Sequence, residues 1–401
     1  MSSSPVKEMA EDLLIINVLG RDREGLVAGI TGKLAEYNIN IVDIEQSVIR
    51  GLFSMFMLVD ISASTADDQQ IRNSMFTIAN KLGVKIDVTP YVQYQGDVSA
   101  KRKQLWKITL LGRDKPGIVA GFSKAISNNK ANIERIKMIA RRDLLVTDIV
   151  IDVSGSDSVD LIKEQIKKKG EELEMDVVMQ LEERSHLRKR LVVFDMDGTI
   201  IEQEVIDELG KAAGVGEKVA EITAKGMRGE IDFSKGLRER VKLLKGLDVG
   251  VLEEIKNHLK LTPECEELIK TLKGSGYKLA LISGGFSYFT DAFKERLGFD
   301  YAYGNKLVVE DGVLTGEIDG EIIDSLRKAQ IVNEIAEREN ISLEETVAIG
   351  DGANDEFMIQ TAGLGIAFNA KRVLKNVSDG NITKENLKGL LYFLGDVGSN
   401  I

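Results

Sequence analysis

From Leu14 to Leu19 the chain runs almost wholly apolar, breaks at Gly20-Arg21-Asp22, and resumes with helical spacing over about Gly25 to Tyr37. Two β-rich segments follow, about Ile39 to Val48 and Leu52 to Ile61. A helical stretch near Ala66 to Leu82 and a strand near Lys85 to Tyr94 close the unit. Strand, helix, strand, strand, helix, strand is the order of a ferredoxin-like α+β sandwich. The layout then returns. Leu14-Ile15-Ile16-Asn17-Val18-Leu19-Gly20-Arg21-Asp22 reappears as Trp106-Lys107-Ile108-Thr109-Leu110-Leu111-Gly112-Arg113-Asp114, an offset of 92 residues from Gly20 to Gly112. That interval is too long for a solenoid repeat and suits a small duplicated domain. In the second copy the first helix is expected over Pro116 to Asn128, with Pro116 in the opening turn, where its missing N–H is no loss.

A polar linker, Gln95 to Gln104, separates the copies, and a charged connector, Glu182 to Arg190, follows the second. Beyond it strands alternate with helices, the pattern of a parallel α/β sheet. The expected domains are therefore residues 12–95, 104–182 and 189–401. Neither repeat contains a catalytic cluster. Their Gly-Arg-Asp-x-x-Gly turns allow two readings, a tight strand-to-helix turn or a set of backbone N–H groups holding a small carboxylate. Across about Asp12 to Glu182 the chain resembles the ACT family of amino-acid-sensing domains, twice over. The resemblance implies regulation by an amino acid, with serine the expected effector, and pairing of such domains between subunits, hence a homodimer.

Composition narrows the partners. A length of 401 residues calls for two or three cores, and a net charge of −11 speaks against nucleic acid or an anionic membrane as the main partner. The basic runs Lys167-Lys168-Lys169 and Arg188-Lys189-Arg190 read as a solvated helix face and a linker. Cys265 is the single cysteine, which rules out an internal disulfide and fits a reducing compartment. Met1-Ser2-Ser3-Ser4-Pro5 lacks the basic-then-apolar pattern of a signal peptide, and no apolar run reaches membrane-spanning length. A cytoplasmic location is expected.

The chemistry concentrates after residue 189. Leu191-Val192-Val193-Phe194 is a short apolar strand running into Asp195-Met196-Asp197-Gly198-Thr199. Ligands of an open α/β sheet bind at the carboxyl ends of strands, which is where these two aspartates fall. Alone, Asp-x-Asp-Gly could be a surface turn or a calcium loop; behind a buried strand it points to chemistry. Lys278-Leu279-Ala280-Leu281-Ile282 leads into Ser283-Gly284-Gly285, a hydroxyl with open glycine N–H groups suited to phosphate oxygens. Thr346-Val347-Ala348-Ile349-Gly350 ends in Asp351-Gly352-Ala353-Asn354-Asp355, hard oxygen ligands for magnesium. Lys328 lies in a helix beginning near Ser325, and its context alone gives no reason to single it out.

Together the four elements resemble the haloacid dehalogenase superfamily, over about Lys189 to the C-terminus. Its phosphatases have a strand-end Asp-x-Asp, a Ser or Thr, a Lys and a late acidic pair. The resemblance implies a Rossmann-like fold with Mg2+ held by Asp195, the carbonyl of Asp197, and Asp351, and Lys328 adding positive charge. It further implies that Asp195 attacks phosphorus, that Asp197 serves as acid and then base, and that Ser283, Gly284 and Asn354 hold or orient the phosphate side. Asp355 is expected to support the metal from behind. His186 and His258 fall outside every motif.

Between Thr199 and Lys278 the chain reads mainly as helices, too long for a simple crossover and expected to form a helical cap over about 201–275. Tyr301 to Gly320 alternates like a hairpin around Glu310-Asp311-Gly312. Within the cap, Glu204, Arg240, Met227 and Phe233 match the cap glutamate, carboxylate-binding arginine and apolar residues of the phosphoserine phosphatase family. That similarity implies phosphoserine as substrate, its ammonium met by Glu204 and its carboxylate by Arg240. Two rivals stay open: a phosphotransferase that passes the phosphoryl group to an alcohol, and an amino-acid-responsive binding protein whose phosphatase half is vestigial.

Overall fold

The computed structural model describes residues 7–94, 103–141, 144–370 and 372–394. The chain falls into two compact units, residues 1–101 and 102–401. In the first unit the strands β1 (Lys7–Arg21), β2 (Asn40–Ile49), β3 (Leu52–Asp60) and β4 (Val84–Tyr94) form an antiparallel sheet of order β2-β3-β1-β4. Helices Leu26–Glu36 and Asp68–Leu82 cover one face of it. Leu14, Ile16, Val18, Met55 and Met57 point inward with the two-residue period of a half-buried sheet. This is the ferredoxin-like layout expected from the pattern.

The second unit opens on the repeated fold, with β5 (Leu105–Gly112), β6 (Asn132–Arg141), β7 (Leu145–Asp152) and β8 (Met175–Leu181) in the same relative order. One detail differs from expectation. The helix begins at Ile118, after Gly117 at φ 94°, so Pro116 precedes the cap rather than occupying the first turn. Gly25, at φ 84°, does the same job before Leu26–Glu36. No atom would crowd a Cβ at either position, so it is the left-handed backbone alone that calls for glycine there.

The alternating segment supplies β9 (Leu191–Phe194), β10 (Lys278–Phe286), β11 (Tyr301–Glu310), β12 (Val313–Asp319), β13 (Thr346–Gly350), β14 (Leu364–Phe368) and β15 (Gly380–Ile382). Strands β11-β10-β9-β13-β14-β15 run parallel, while β12 folds back on β11 through the Asp311-Gly312 turn. This doubly wound sheet does not stop at β15. Gly380 and Asn381 pair antiparallel with Val178 and Val177, so the sheet of the second repeat continues the same ladder, eleven strands in all among the described residues.

Helices Val205–Ala212, Gly216–Met227, Phe233–Lys242 and Gly250–His258 form the expected cap. The expected span ran to 275, but Cys265–Gly274 packs on β10 and on helix Ser287–Leu297, which makes it part of the layer beside the sheet. Its buried face, Cys265, Leu268, Ile269 and Leu272, explains that placement. Among the described residues no helix is long and apolar enough to cross a membrane.

Candidate active site

Of three neighbouring parallel strands, β9 and β13 end just before Asp195 and Asp351, and β10, whose pairing with β9 stops at Leu281, runs on through Ser283 beside them. The site is built on close approaches that only glycine permits. A Cβ on Gly198, itself at φ 71°, would lie 2.4 Å from an Asp351 oxygen. On Gly285 it would lie 2.8 Å from Asp197 Oδ2 and 3.0 Å from Ser283 Oγ. Glycine at these positions lets carboxylates crowd the strand ends.

The charges come next. Lys328, the largest fully buried polar side chain among the described residues at 0% exposure, donates from Nζ to Asp195 Oδ1 at 2.7 Å and to Asp355 Oδ1 at 2.6 Å. It sits one turn into helix Ser325–Glu339, whose start is fixed by the Asp324 carboxylate accepting from Arg327 N–H. Burial opposes its charge, yet the Asp195 and Asp355 carboxylates outweigh burial and hold the ammonium protonated. Burial first, and the Asp355 charge second, push the Asp195 carboxyl well above the carboxylate range. Asp197 is pushed up as well, by burial and by Glu204. Asp351 is raised to about 7 by burial, then by Asp355 and Glu204.

One lysine does not balance Asp195, Asp197, Asp351 and Asp355. Carboxylate oxygens of Asp195, Asp351 and Asp355 all lie within 4.8 Å of one another. A hard divalent cation suits this donor set and would relieve the repulsion that raises these carboxyls. Asp355 lies beside Asp195 and Asp351, its Oδ1 accepting from Lys328 Nζ and its Oδ2 from Gly352 N–H at 3.1 Å, as suits the supporting place expected of it. Gly350 leaves it the room, since a Cβ there would meet the Asp355 carboxyl at 2.4 Å.

Ser283 Oγ accepts from Gly285 N–H at 2.8 Å, which leaves its own proton free to donate. Asp197 Oδ1 accepts from Val205 N–H at 3.3 Å and so touches the first turn of the cap. A cavity of about 790 Å³ opens over these groups. Asp195, Asp197, Ser283, Gly284, Asp351 and Asn354 form its floor, and Glu204, Phe233 and Arg240 come from the cap. Arg240 is aimed by its contacts with Thr223 Oγ1 and the Gly236 carbonyl, both at 3.3 Å. Phe233 packs over Gly284, where a Cβ would meet its ring at 2.8 Å. Met227 ends helix Gly216–Met227, and its side chain lies outside the described part. All the other expected site residues converge, Lys328 from beneath the floor.

Sequence reasoning missed two contributors. Asn305, 1% exposed on β11, donates to the Gly284 carbonyl and accepts from Ile323 N–H, both at 2.9 Å. It thus ties the Ser283-Gly284-Gly285 loop to the residue that leads into the Lys328 helix. Its partners lie about twenty residues away on either side, so no local pattern signals it. Asp207, one turn after Glu204, also lines the cavity; its i, i+3 spacing from Glu204 on a cap helix was a usable signal.

Residues 189–363 match the haloacid dehalogenase-like hydrolase family, and residues 12–89 and 106–180 each match the ACT domain family. The chain is thus a haloacid dehalogenase-like hydrolase carrying two ACT domains. It is 47% identical to a phosphoserine phosphatase from Archaeoglobus fulgidus, over 86% of this chain and 97% of that one. A phosphoserine phosphatase from Streptomyces coelicolor is 36% identical over 98% of this chain and 94% of the relative. Among solved structures, a HAD-family hydrolase from Salmonella enterica serovar Typhi superposes with a TM-score of 0.63 at 27% identity, covering 73% of this chain and all of that one. The chain belongs to the phosphoserine phosphatase family.

Proposed function

We propose that the chain hydrolyses O-phospho-L-serine to L-serine and phosphate, with Mg2+ and an aspartyl-phosphate on Asp195. The observation that carries the reading is the pairing of two chemistries in one cavity. Asp195, Asp197, Ser283 and Asp351 stand on its floor, and Glu204 and Arg240 face them from the cap. Arg240 offers the opposite charge to the carboxylate of phosphoserine and Glu204 to its ammonium, while Lys328 beside Asp195 supplies positive charge at the phosphate end. The close relatives by name support the same substrate.

Asp195 and Asp351, with Asp355 alongside and the carbonyl of Asp197, would hold magnesium, which supplies neutralising charge to a phosphate dianion that otherwise repels a carboxylate. Lys328 adds a fixed positive charge beside Asp195. Asp195 attacks phosphorus and the serine oxygen leaves. Asp197, whose carboxyl is pushed upward by burial and then by Glu204, donates a proton to that oxygen. It then accepts a proton from the water that attacks the aspartyl-phosphate, releasing phosphate and restoring Asp195. Ser283 Oγ–H and Gly284 N–H bind phosphate oxygens, while Asn354 orients the phosphate side. Arg240 grips the carboxylate and Glu204 the ammonium. Phe233, with Met227, helps exclude water when the cap closes.

The reaction places the enzyme at a serine-forming step, in keeping with a cytoplasmic location. ACT domains that bind an amino acid, serine being the product, would give feedback, and such domains pair in a homodimer. Purified protein with magnesium and phosphoserine tests the activity by phosphate release. Undetectable release beside brisk turnover of another phosphomonoester would overturn the substrate. Asp195→Asn is expected to fold and to lose at least about a thousandfold in kcat; retained turnover would overturn the mechanism. Calorimetry of the full chain with serine tests the effector, and sedimentation tests the dimer.

A further inference from the structure

The segment between β14 and β15 faces two ways. On one side Asn369, Val373 and Leu374 line the catalytic cavity. On the other, the segment is held by the second repeat. Lys167, on helix Val159–Glu172, donates from Nζ to the carbonyl of Lys375 at 2.6 Å and to that of Ser378 at 2.5 Å. The two carbonyls lie at the end of helix Arg372–Val377 and just past it, where Lys375 O also accepts from Ser378 Oγ at 3.1 Å. Around this point Lys163 faces Asp379 at 3.8 Å and Lys375 faces Glu171 at 3.4 Å. Met179 N–H reaches the Asp379 carbonyl at 2.9 Å, and Asp176 accepts from Thr383 N–H at 3.1 Å. Asn369 N–H closes the segment on Ile382 O at 2.8 Å.

The basic run at 167–169 was expected to be a solvated face. Lys167 departs from it because its stem crosses to the neighbouring layer and its ammonium replaces water on two carbonyls. Burial, and Lys163 after it, lower its pKa to about 8 against the pull of Asp379. A lysine held at that cost on a mere surface joint would be unremarkable if the clamped segment backed onto core. Here it backs onto the substrate cavity.

We propose that Lys167 is a positioning residue for the active site: by fixing the Arg372–Val377 segment it sets the cavity wall made by Asn369, Val373 and Leu374, so that substrate affinity depends on the second repeat. The inference rests on the phosphoserine reading only for the substrate used to test it. Asp195, Asp197 and Lys328 are held by β9, the cap start and helix Ser325–Glu339, so the clamp acts on binding rather than on the chemical step.

The full chain carrying Lys167→Met is expected to raise KM for phosphoserine about fivefold with kcat within twofold. Amide exchange over 372–382 is expected to quicken at least about tenfold. Lys167→Arg, whose fork can still serve two carbonyls, restores both. Faster exchange with unchanged KM makes Lys167 an ordinary joint and overturns the proposal, as does unchanged exchange. If Lys167→Met does not fold, Lys167→Gln, which removes the charge and shortens the reach to the two carbonyls, takes its place. Exchange and KM are then measured on that variant, and an unchanged value of either overturns the proposal in the same way. Should the wild type ignore phosphoserine, the substrate reading fails while the clamp is still judged, by exchange and by KM for the phosphomonoester it does hydrolyse.

Discussion

The two ACT domains share a fold and a turn motif, yet equivalent residues lead different lives. Leu19 is 55% exposed, whereas Leu111, its counterpart 92 residues on, is 0% exposed. The closing strands differ in the same way. β4 alternates buried Val84 and Val88 with exposed Lys85, Asp87 and Thr89, and β8 is buried almost from end to end. The reason lies in what covers the second sheet. Leu111, Val146 and Val178 belong to the same apolar cluster as Leu387, Leu390 and Phe393 near the C-terminus, and β15 pairs with β8. Among the described residues β4 has β1 as its partner on the sheet and no strand beyond. Duplication supplied two equal modules; burial on both faces turned one into part of the catalytic sheet.

The sharpest way to break this comparison is to truncate the equivalent leucines. Leu111→Ala leaves a cavity between two layers and is expected to cost about 2–5 kcal/mol. Leu19→Ala, at a largely exposed position, is expected to stay within about 0.5 kcal/mol. Urea unfolding of both variants measures the difference, and similar losses would mean the two sheets are equally open in solution. A smaller effect is expected at Gly380. A Cβ there would lie 2.4 Å from Val178 Cγ2 and 2.6 Å from the Val177 carbonyl, so Gly380→Ala must push the two sheets apart. The expected cost is about 1–3 kcal/mol. Gly25→Ala serves as the contrast, because it meets no atom and strains only the backbone, at about 1 kcal/mol. Exchange at β8 should quicken in Gly380→Ala and not in Gly25→Ala; the reverse would show that the β15–β8 pairing carries no load.

Much of this architecture was legible because strong local signals agreed with one another. The strands leading into Asp195, Ser283 and Asp351 are apolar runs that stop at acidic, hydroxyl or glycine residues, and pattern alone locates them. The hairpin at Asp311-Gly312 follows from its turn chemistry. Lys328 was not legible as a buried ion-pair partner, because a lysine on a helix is exposed by default and its two carboxylates lie 133 and 27 residues away. Asn305 escaped for the same reason. The fusion of the sheets hid behind length: β15 is three residues long, too short to show a period. The continuous burial of β8 was present in Met175-Asp176-Val177-Val178-Met179-Gln180, but resemblance between the copies invited the same reading for both.

The comparison can be sharpened once more, with a smaller effect, through the metal. Because the second ACT domain shares its ladder with β9 and β13, magnesium should slow exchange in β5, β7 and β8 as well as at the site, by linkage to the folded state. Strands β1 to β4 should be untouched. The pH dependence has a definite sign. Asp351 titrates near 7 in the folded metal-free protein, through burial, Asp355 and Glu204, whereas an unfolded aspartate ionises near pH ~4. The folded state therefore holds a proton that the unfolded chain has released, and metal-free stability falls as pH rises between these values. Magnesium needs the carboxylate, so at pH 6 it must displace that proton and at pH 8 it need not. One unit below the folded pKa corresponds to about tenfold weaker apparent binding, or about 1.4 kcal/mol. The gain in unfolding free energy from saturating-range magnesium should accordingly be larger at pH 8 than at pH 6, and the β5–β8 exchange should follow it. Equal gains at both pH values would remove Asp351 from the metal site, and protection reaching β1 to β4 would erase the distinction between the two repeats.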